Sequence, residues 1–388
     1  MTDRYDDSNL LTLIRAGRVF APEALDETDI LIADGRIAAL GRGLDVPDGW
    51  PVEVVEAREL TAVPAFIDQH VHVTGGGGEG GFATRCPEIT AAEIAARGIA
   101  TVVGILGTDS ISRSPADLLA KVRGLRAEGI AAYMYTGAYR VPPPTLTGDV
   151  QTDLAWIPEV IGVGEIAISD HRSSQPRQDE IERLVSDARV GAMLAGKRGI
   201  CHFHLGDGER GLAPLRRLLS ETEIPAEQVI PTHVNRNRAL LEDAADYAKA
   251  FGACVDVTAF DSPGPDDLSG FQAVCDLLKR GVAVERITMS SDCNGSLPDF
   301  DAKGRYLGMR VARNTALIED WQRLVLEEVL PLDRALGLIS GNVARVLGLQ
   351  ERKGRLAAGF DADVTLLDDK MRPIRTFAGG QCVYASEA

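Results

Sequence analysis

Apolar runs of strand length punctuate the middle of the chain: "VPAFIDQHVH", "IATVVGILG", "IAAYMYTGAY", "VIGVGEIAIS", "GICHFHLG", "VIPTHVN", "ACVDVTAF" and "RITMSSD". Most gaps between them hold segments of helical period, as in "PADLLAKVRGLRAEG", "QDEIERLVSDARVGAMLAG" and "RALLEDAADYAKAFG". The third gap, around "VPPPTLTGDV", is Pro-rich and carries a weaker helical signal. Eight strands alternating with helices predict an α/β protein built on a parallel (β/α)8 TIM-like barrel rather than an open sheet. The two ends read differently. "LTLIRAGRVF", "DILIADGRIAAL" and "PVEVVEA" are short strand-like pieces broken by turns, and the Asp-Gly of "ADGR" marks a tight hairpin. The tail repeats this style in "GRLAAGFDADVTLLD" and "TFAGGQCVYA". Chain ends often lie close together. The pattern therefore predicts a small β-sandwich domain from residues 1–62 plus 347–388, and a barrel from residues 63–346.

A barrel of this kind carries its chemistry at the C-terminal ends of its strands. His70 and His72 end the first predicted strand, Glu165 lies in the fourth, His204 ends the fifth, His233 the sixth and Asp292 the eighth. A spacing of two on a strand puts both side chains on one face, so His70 and His72 reach one point in the barrel mouth. Taken singly, each group has a plainer role. A strand-end histidine serves as a hydrogen-bonded structural group, and a strand carboxylate as the partner of an arginine. Six together point to a metal site, because imidazole and carboxylate suit Zn²⁺ and related divalent ions. His202 faces the same way as His204 but one layer deeper, which suits support of a ligand better than ligation. His171 follows the fourth strand and orients its neighbours. The glycine run in "HVTGGGGEGG" lets the backbone approach a small ligand closely. No Lys-Ser or Lys-Thr follows it, which excludes a Walker-type phosphate loop.

Composition narrows the field further. A formal net charge of −16 over 388 residues repels phosphate backbones, so nucleic acid is not an expected partner. The opening "MTDRYDDSNL" lacks the basic and apolar regions of a secretory signal, and no run is long enough to cross a bilayer. A cytoplasmic location with no membrane partner is expected. The six cysteines (Cys86, Cys201, Cys254, Cys275, Cys293 and Cys382) form no C-x-x-C pair and read as reduced packing groups. Cys293 lies near the candidate site, and there too a small buried hydrophobe is the simpler role.

The H-x-H strand, the histidines after strands five and six and the aspartate after strand eight resemble the amidohydrolase superfamily. More narrowly, "DQHVHVTGGGGEGG", "GILGTDSISR", "TGAY", "AISDHRSS", "PTHVNRN" and "SSDCNGS" resemble its metal-dependent isoaspartyl (β-aspartyl) dipeptidase family, along nearly the whole chain. The resemblance implies hydrolysis of β-aspartyl dipeptides, a pair of Zn²⁺ or other divalent ions, and a homo-oligomer. It implies that His70 and His72 bind the more buried ion and that His204 and His233 bind the second. Asp292 would contact a metal while accepting and returning the proton, and Tyr139 would donate to the oxyanion. Gly77 and Glu79 would lie at the aspartyl end of the substrate. Thr108, Tyr139, Arg172, Arg236 and Ser296 match further substrate-contacting positions. These residue types suit such a substrate: guanidinium forks take carboxylates, and Glu79 offers an anion to the ammonium.

One departure stands out. The family bridges its metals with a carboxylated lysine on the fourth strand, yet "PEVIGVGEIAISDHR" holds no lysine. Glu165 occupies that place, with one extra residue beside it. It supplies the same charge and two oxygens on a shorter stem, so backbone or metals must adjust, and either one ion or two could result; two are expected. Two other readings stay open. One is another amidase of the superfamily, either an N-acyl-amino-acid deacylase or a cyclic amidase. The other is a non-catalytic barrel with a decayed site. Residues 75–81 with Arg172 and Arg236 argue against the first, and retention of every other ligand-type residue argues against the second.

Overall fold

The computed structural model describes residues 11–25, 27–260, 266–300 and 305–386. The polar opening segment, residues 1–10, lies outside them. The chain begins with β1 (Leu11–Phe20), β2 (Ala24–Leu25), β3 (Thr28–Ala33), β4 (Arg36–Gly41) and the long β5 (Val52–Pro64). Asp34 and Gly35 make the two-residue turn between β3 and β4, with φ of 48° and 72°. Both angles are left-handed, as a tight hairpin turn matching the strand twist requires, and Asp-Gly adopts them readily.

The eight predicted runs all become strands. β6 (Phe66–Val71), β7 (Ile99–Gly104), β8 (Ala131–Thr136), β9 (Val160–Ile168), β10 (Ile200–Leu205) and β11 (Val229–Thr232) form a parallel sheet in chain order. β12 (Val255–Thr258) and β13 (Ile287–Ser290) form a parallel pair. The ring closes where Val71 bridges to Cys293 and the Asp292 N–H donates to the His70 carbonyl at 3.1 Å. The gaps hold α1 (Ala91–Ala95), α2 (Pro115–Ala127), α3 (Val150–Trp156), α4 (Gln178–Leu194), α5 (Ala213–Glu221), α6 (Arg238–Phe251) and α7 (Gly270–Lys279). Ser114 and Asn237 accept from backbone N–H groups in the first turns of α2 and α6, and Gly252 ends α6 in the left-handed conformation. The Pro-rich third gap yields only the seven residues of α3.

Beyond the eighth barrel strand lies an antiparallel hairpin, β14 (Ser296–Phe300) with β15 (Tyr306–Val311), that the hydrophobic pattern does not announce. Helices α8 (Ala316–Leu326), α9 (Leu332–Leu336) and α10 (Asn342–Leu347) follow, then β16 (Val364–Leu367), β17 (Pro373–Ala378) and β18 (Gln381–Ala385). β5 pairs with β1 at residues 52–57 and again at Thr61 and Ala62, and its last four residues pair with β16, so one sheet is assembled from both ends of the chain. Ile14, Ile30, Ile37, Val55, Val364 and Phe377, drawn from both halves of this sheet, share one apolar core. The fold is therefore the expected α/β barrel with a second sheet from the termini. Among the described residues, no helix is long and apolar enough to cross a membrane.

Deep in the barrel, a buried carboxylate ties the closing strands together. Asp256 accepts from Gln69 Nε2 at 2.6 Å, Thr232 Oγ1 at 2.7 Å, Thr288 Oγ1 at 2.6 Å and Ser290 Oγ at 2.6 Å. These donors come from β6, β11 and β13. Asp256→Ala would strip all four of their acceptor, and each unpaired buried polar group costs roughly 1–3 kcal/mol. The losses overlap, because Gln69 also bonds Thr288 at 2.8 Å. We expect destabilisation of about 3–5 kcal/mol, the range for breaking buried charged clusters. Urea unfolding monitored by tryptophan fluorescence reads it, and a midpoint equal to wild type would show the cluster to be dispensable.

Candidate metal centre

The candidate ligands converge because of how the strand ends are built. His70 and His72 share one face of β6 and its continuation, with ring centroids 5.8 Å apart. The register between β9 and β10 jumps: Cys201 pairs with Val163 and Phe203 with Ile166. Gly164 and Glu165 thus stand together opposite His202. This bulge accounts for the extra residue visible beside Glu165 in the sequence. Bulges re-aim side chains, and Glu165 is 1% exposed among the histidines. His233 and Asp292 take φ of 59° and 51°. Such left-handed backbone is strained for residues with a Cβ and collects at functional sites.

Three histidines are anchored through one ring nitrogen and aim the other at Glu165. His70 Nδ1 lies 2.8 Å from His202 Nε2, leaving its Nε2 3.5 Å from Glu165 Oε2 and 3.3 Å from Asp292 Oδ1. His233 Nδ1 lies 2.6 Å from Thr258 Oγ1, with Nε2 3.4 Å from Glu165 Oε2. His204 Nε2 lies 3.0 Å from Asp170 Oδ2, with Nδ1 3.1 Å from Glu165 Oε2. His72 Nε2 faces Glu165 Oε1 at 3.7 Å and Asp292 Oδ1 at 3.1 Å. Glu165 thus turns one oxygen towards His72 and the other towards the remaining three rings. Two triads of close ligand atoms share it, His70–His72–Glu165 and Glu165–His204–His233, and a third joins His70, His233 and Asp292.

These residues fit a divalent cation. His70 Nε2 and Asp292 Oδ1 are buried without a hydrogen-bond partner, a rare condition that calls for an explanation such as an ion. Burial opposes charge on His70, yet Glu165 and Asp292 outweigh it and lift the ring to about 9. The pocket thus demands positive charge. Burial would also neutralise Glu165, but the charges of His70 and His204 hold it well below the usual carboxylate range. Asp292 is held low against burial by the close approach of the His70 and His72 rings. Burial pushes His233 down to about 3 and His202 well below its ordinary value, keeping both neutral; a neutral ring is the form that binds metal. A Cβ on Gly107 would stand 2.8 Å from His72 Cε1, so the wall of the cradle is bare at that point.

At the mouth, Glu79 Oε1 accepts from Thr108 Oγ1 at 3.1 Å and lies 3.6 Å from Arg172 Nη1, while Oε2 accepts from Ser296 Oγ at 2.8 Å. Gly77 has φ of 77°, and a Cβ there would meet the Thr84 carbonyl oxygen at 2.5 Å. Tyr139 places its hydroxyl 2.9 Å from His204 Nδ1, and the Arg172 guanidinium lies 5.4 Å from the centre of its ring. Arg236 is half-buried, its Nε without a partner and its N–H on the His233 carbonyl at 3.1 Å. The structure thus gathers the sequence-selected residues around one mouth. His202 sits behind His70, as its deeper position suggested. His171 is exposed, and Cys293 is buried with its thiol pushed well up by burial. The sequence alone does not single out Asp170; its one signal is a carboxylate two positions before Arg172 in "SDHRSS".

The chain is similar to several known proteins. A profile described as "Amidohydrolase family" matches residues 228–384. The crystal structure of a β-aspartyl dipeptidase from Fervidobacterium islandicum AW-1, in complex with β-Asp-Leu dipeptide, is 41% identical with a TM-score of 0.89, covering 98% of this chain and 97% of that one. A dihydroorotase from Pelotomaculum thermopropionicum is 26% identical over 405 residues, covering 93% of this chain and 90% of its own length. A dihydropyrimidinase structure from Brevibacillus agri shares the fold at 17% identity and a TM-score of 0.65, covering 97% of this chain and 95% of that one.

Proposed function

We propose that this chain, which belongs to the amidohydrolase superfamily and within it to the isoaspartyl (β-aspartyl) dipeptidase family, hydrolyses β-aspartyl dipeptides. The observation that carries this reading is the pairing of Glu79 with Arg172 at 3.6 Å beside the histidine cradle. An isoaspartyl residue carries its α-ammonium and α-carboxylate on one carbon. Such a zwitterion needs an anion and a guanidinium side by side, whereas a cyclic amide offers no ammonium for Glu79. Arg236, with an unpartnered Nε, is available to the second carboxylate of the dipeptide. The complexed β-Asp-Leu in the Fervidobacterium relative supports the same substrate class.

His70, His72, Glu165, His204, His233 and Asp292 would hold the metal, Zn²⁺ and two ions in this reading. Bound there, it supplies a polarised amide carbonyl and water acidified from about 15.7 towards 7. The chain's own groups do the rest. Asp292, held ionised, takes the proton from the attacking water and returns it to the departing nitrogen. Burial keeps the Tyr139 phenol protonated, well above its usual range, so it donates to the oxyanion as negative charge develops. Glu79, Arg172 and Arg236 fix the charged ends and so orient the scissile bond.

A substrate panel tests the proposal with the metal-loaded protein. β-Aspartyl dipeptides are expected to turn over with kcat/KM of roughly 10⁴ M⁻¹s⁻¹ or more, far above α-dipeptides, hydantoins, dihydroorotate and N-acyl amino acids. Turnover of a cyclic amide or an N-acyl amino acid, with every β-aspartyl substrate inert, would overturn it.

A further inference from the structure

The structure assigns to Asp170 a positioning role that joins metal ligation to substrate recognition. Its carboxylate is shared between a ligand-type histidine and the arginine of the mouth. Oδ2 lies 3.0 Å from His204 Nε2 and accepts from Arg172 Nη2 at 2.7 Å. Oδ1 accepts from Arg172 Nε at 3.0 Å and from the Arg172 backbone N–H at 2.7 Å. Arg172 Nη2 also lies 3.2 Å from His204 Nε2, but the nearer neighbour of that nitrogen is the Asp170 carboxylate, which only accepts. The ring nitrogen must therefore carry its proton and give it to Asp170. With Nε2 protonated, the lone pair of His204 sits on Nδ1, which faces Glu165 at 3.1 Å. A carboxylate behind a histidine fixes tautomer and ring orientation in this way and strengthens the ligand.

The surrounding loop is built to keep Asp170 in place. Ser169 takes φ of 52°, turning the chain sharply after β9. The Asp170 carbonyl accepts from Gln175 Nε2 at 2.8 Å and from the Ser173 N–H at 3.1 Å. Gly206, just past β10, leaves the space the carboxylate fills: a Cβ there would stand 2.4 Å from Asp170 Cβ. Asp170 is 5% exposed, so little solvent competes for its oxygens. The same grip holds Arg172 by Nε and Nη2, leaving Nη1 turned towards Glu79. One side chain thus sets the lone pair of a metal ligand and the direction of the substrate-facing fork. The metal half of this inference depends only on the ligand set; the substrate half rests on the β-aspartyl reading.

Titration of the metal-free protein with Co²⁺, followed by visible absorption, tests the first half without any substrate. Asp170→Asn is expected to weaken the second equivalent of Co²⁺ by about 10- to 100-fold, the usual range for losing such a partner, and to spare the first. Arg172→Met is expected to bind both equivalents as wild type does. With β-Asp-Leu, both variants should raise KM at least tenfold. Near-UV circular dichroism identifies folded protein, and Asp170→Glu, which keeps the charge but not the reach, takes the place of the amide variant if that is recovered unfolded. Wild-type affinity for both equivalents in the Asp170 variant would overturn the inference, as would equal weakening in Arg172→Met. If β-aspartyl substrates prove inert while the Co²⁺ pattern holds, the substrate assignment has failed and the ligand-positioning role stands.

Discussion

Asp292→Asn is expected to lower kcat on β-Asp-Leu by about 10⁴-fold, the upper end of what a positioned general acid–base group contributes. The upper end applies because, in the proposed mechanism, one carboxylate serves both proton transfers, and a carboxamide can neither take up the proton nor return it. Its contacts make the substitution informative. Oδ1 touches His70 and His72 at 3.3 and 3.1 Å, while the other ligand-type groups gather round Glu165. The variant should therefore retain metal at close to wild-type stoichiometry, and the loss should appear in kcat rather than KM. The Asn side chain is isosteric, and the left-handed backbone at this position tolerates Asn well. A kcat within tenfold of wild type would remove Asp292 from the mechanism.

Glu165→Ala carries the second large effect, and it falls on metal binding itself. All four ligand-type histidines face this carboxylate across 3.1–3.7 Å. Removing one member of a buried charged cluster costs about 3–5 kcal/mol, equivalent to two to four powers of ten in affinity. The variant should be isolated with little or no metal and should lose turnover in proportion. The carboxylate here is encoded rather than formed from carbon dioxide, so wild-type metal uptake should proceed equally well in bicarbonate-free buffer. Elemental analysis after dialysis reads both outcomes. Undiminished metal in Glu165→Ala would show that the four rings and Asp292 suffice without it.

Much of this arrangement is visible in the letters, for identifiable reasons. Strands buried on both faces write continuous apolar runs, so all eight barrel strands stood out, and the barrel rule then located His70, His72, Glu165, His204, His233 and Asp292 at one end. The spacing of two that separates His202 from His204 also carried depth, since neighbouring residues on one strand face lie in successive layers. The bulge at Gly164–Glu165 showed as a one-residue surplus beside the bridging position. What stayed hidden depends on partners distant in sequence. Asp170 reads as an ordinary loop carboxylate until β10 brings His204 beside it. Asp256 reads as a lone acid in a strand until β6, β11 and β13 close around it. The β14–β15 hairpin follows the eighth strand without helical or strand periodicity strong enough to declare it, yet it begins with Ser296, which holds Glu79 at 2.8 Å.

In the proposed reading His70, His72, His204 and His233 would hold a metal pair, with the encoded carboxylate of Glu165 as their shared ligand. Anomalous diffraction above the zinc absorption edge, from crystals of the protein loaded with Zn²⁺, tests it most directly. The account predicts two peaks, one on each side of the Glu165 carboxylate, each in contact with its own histidine pair. Absence of ordered metal among these four rings, or an ion that leaves Glu165 uncoordinated, would contradict it.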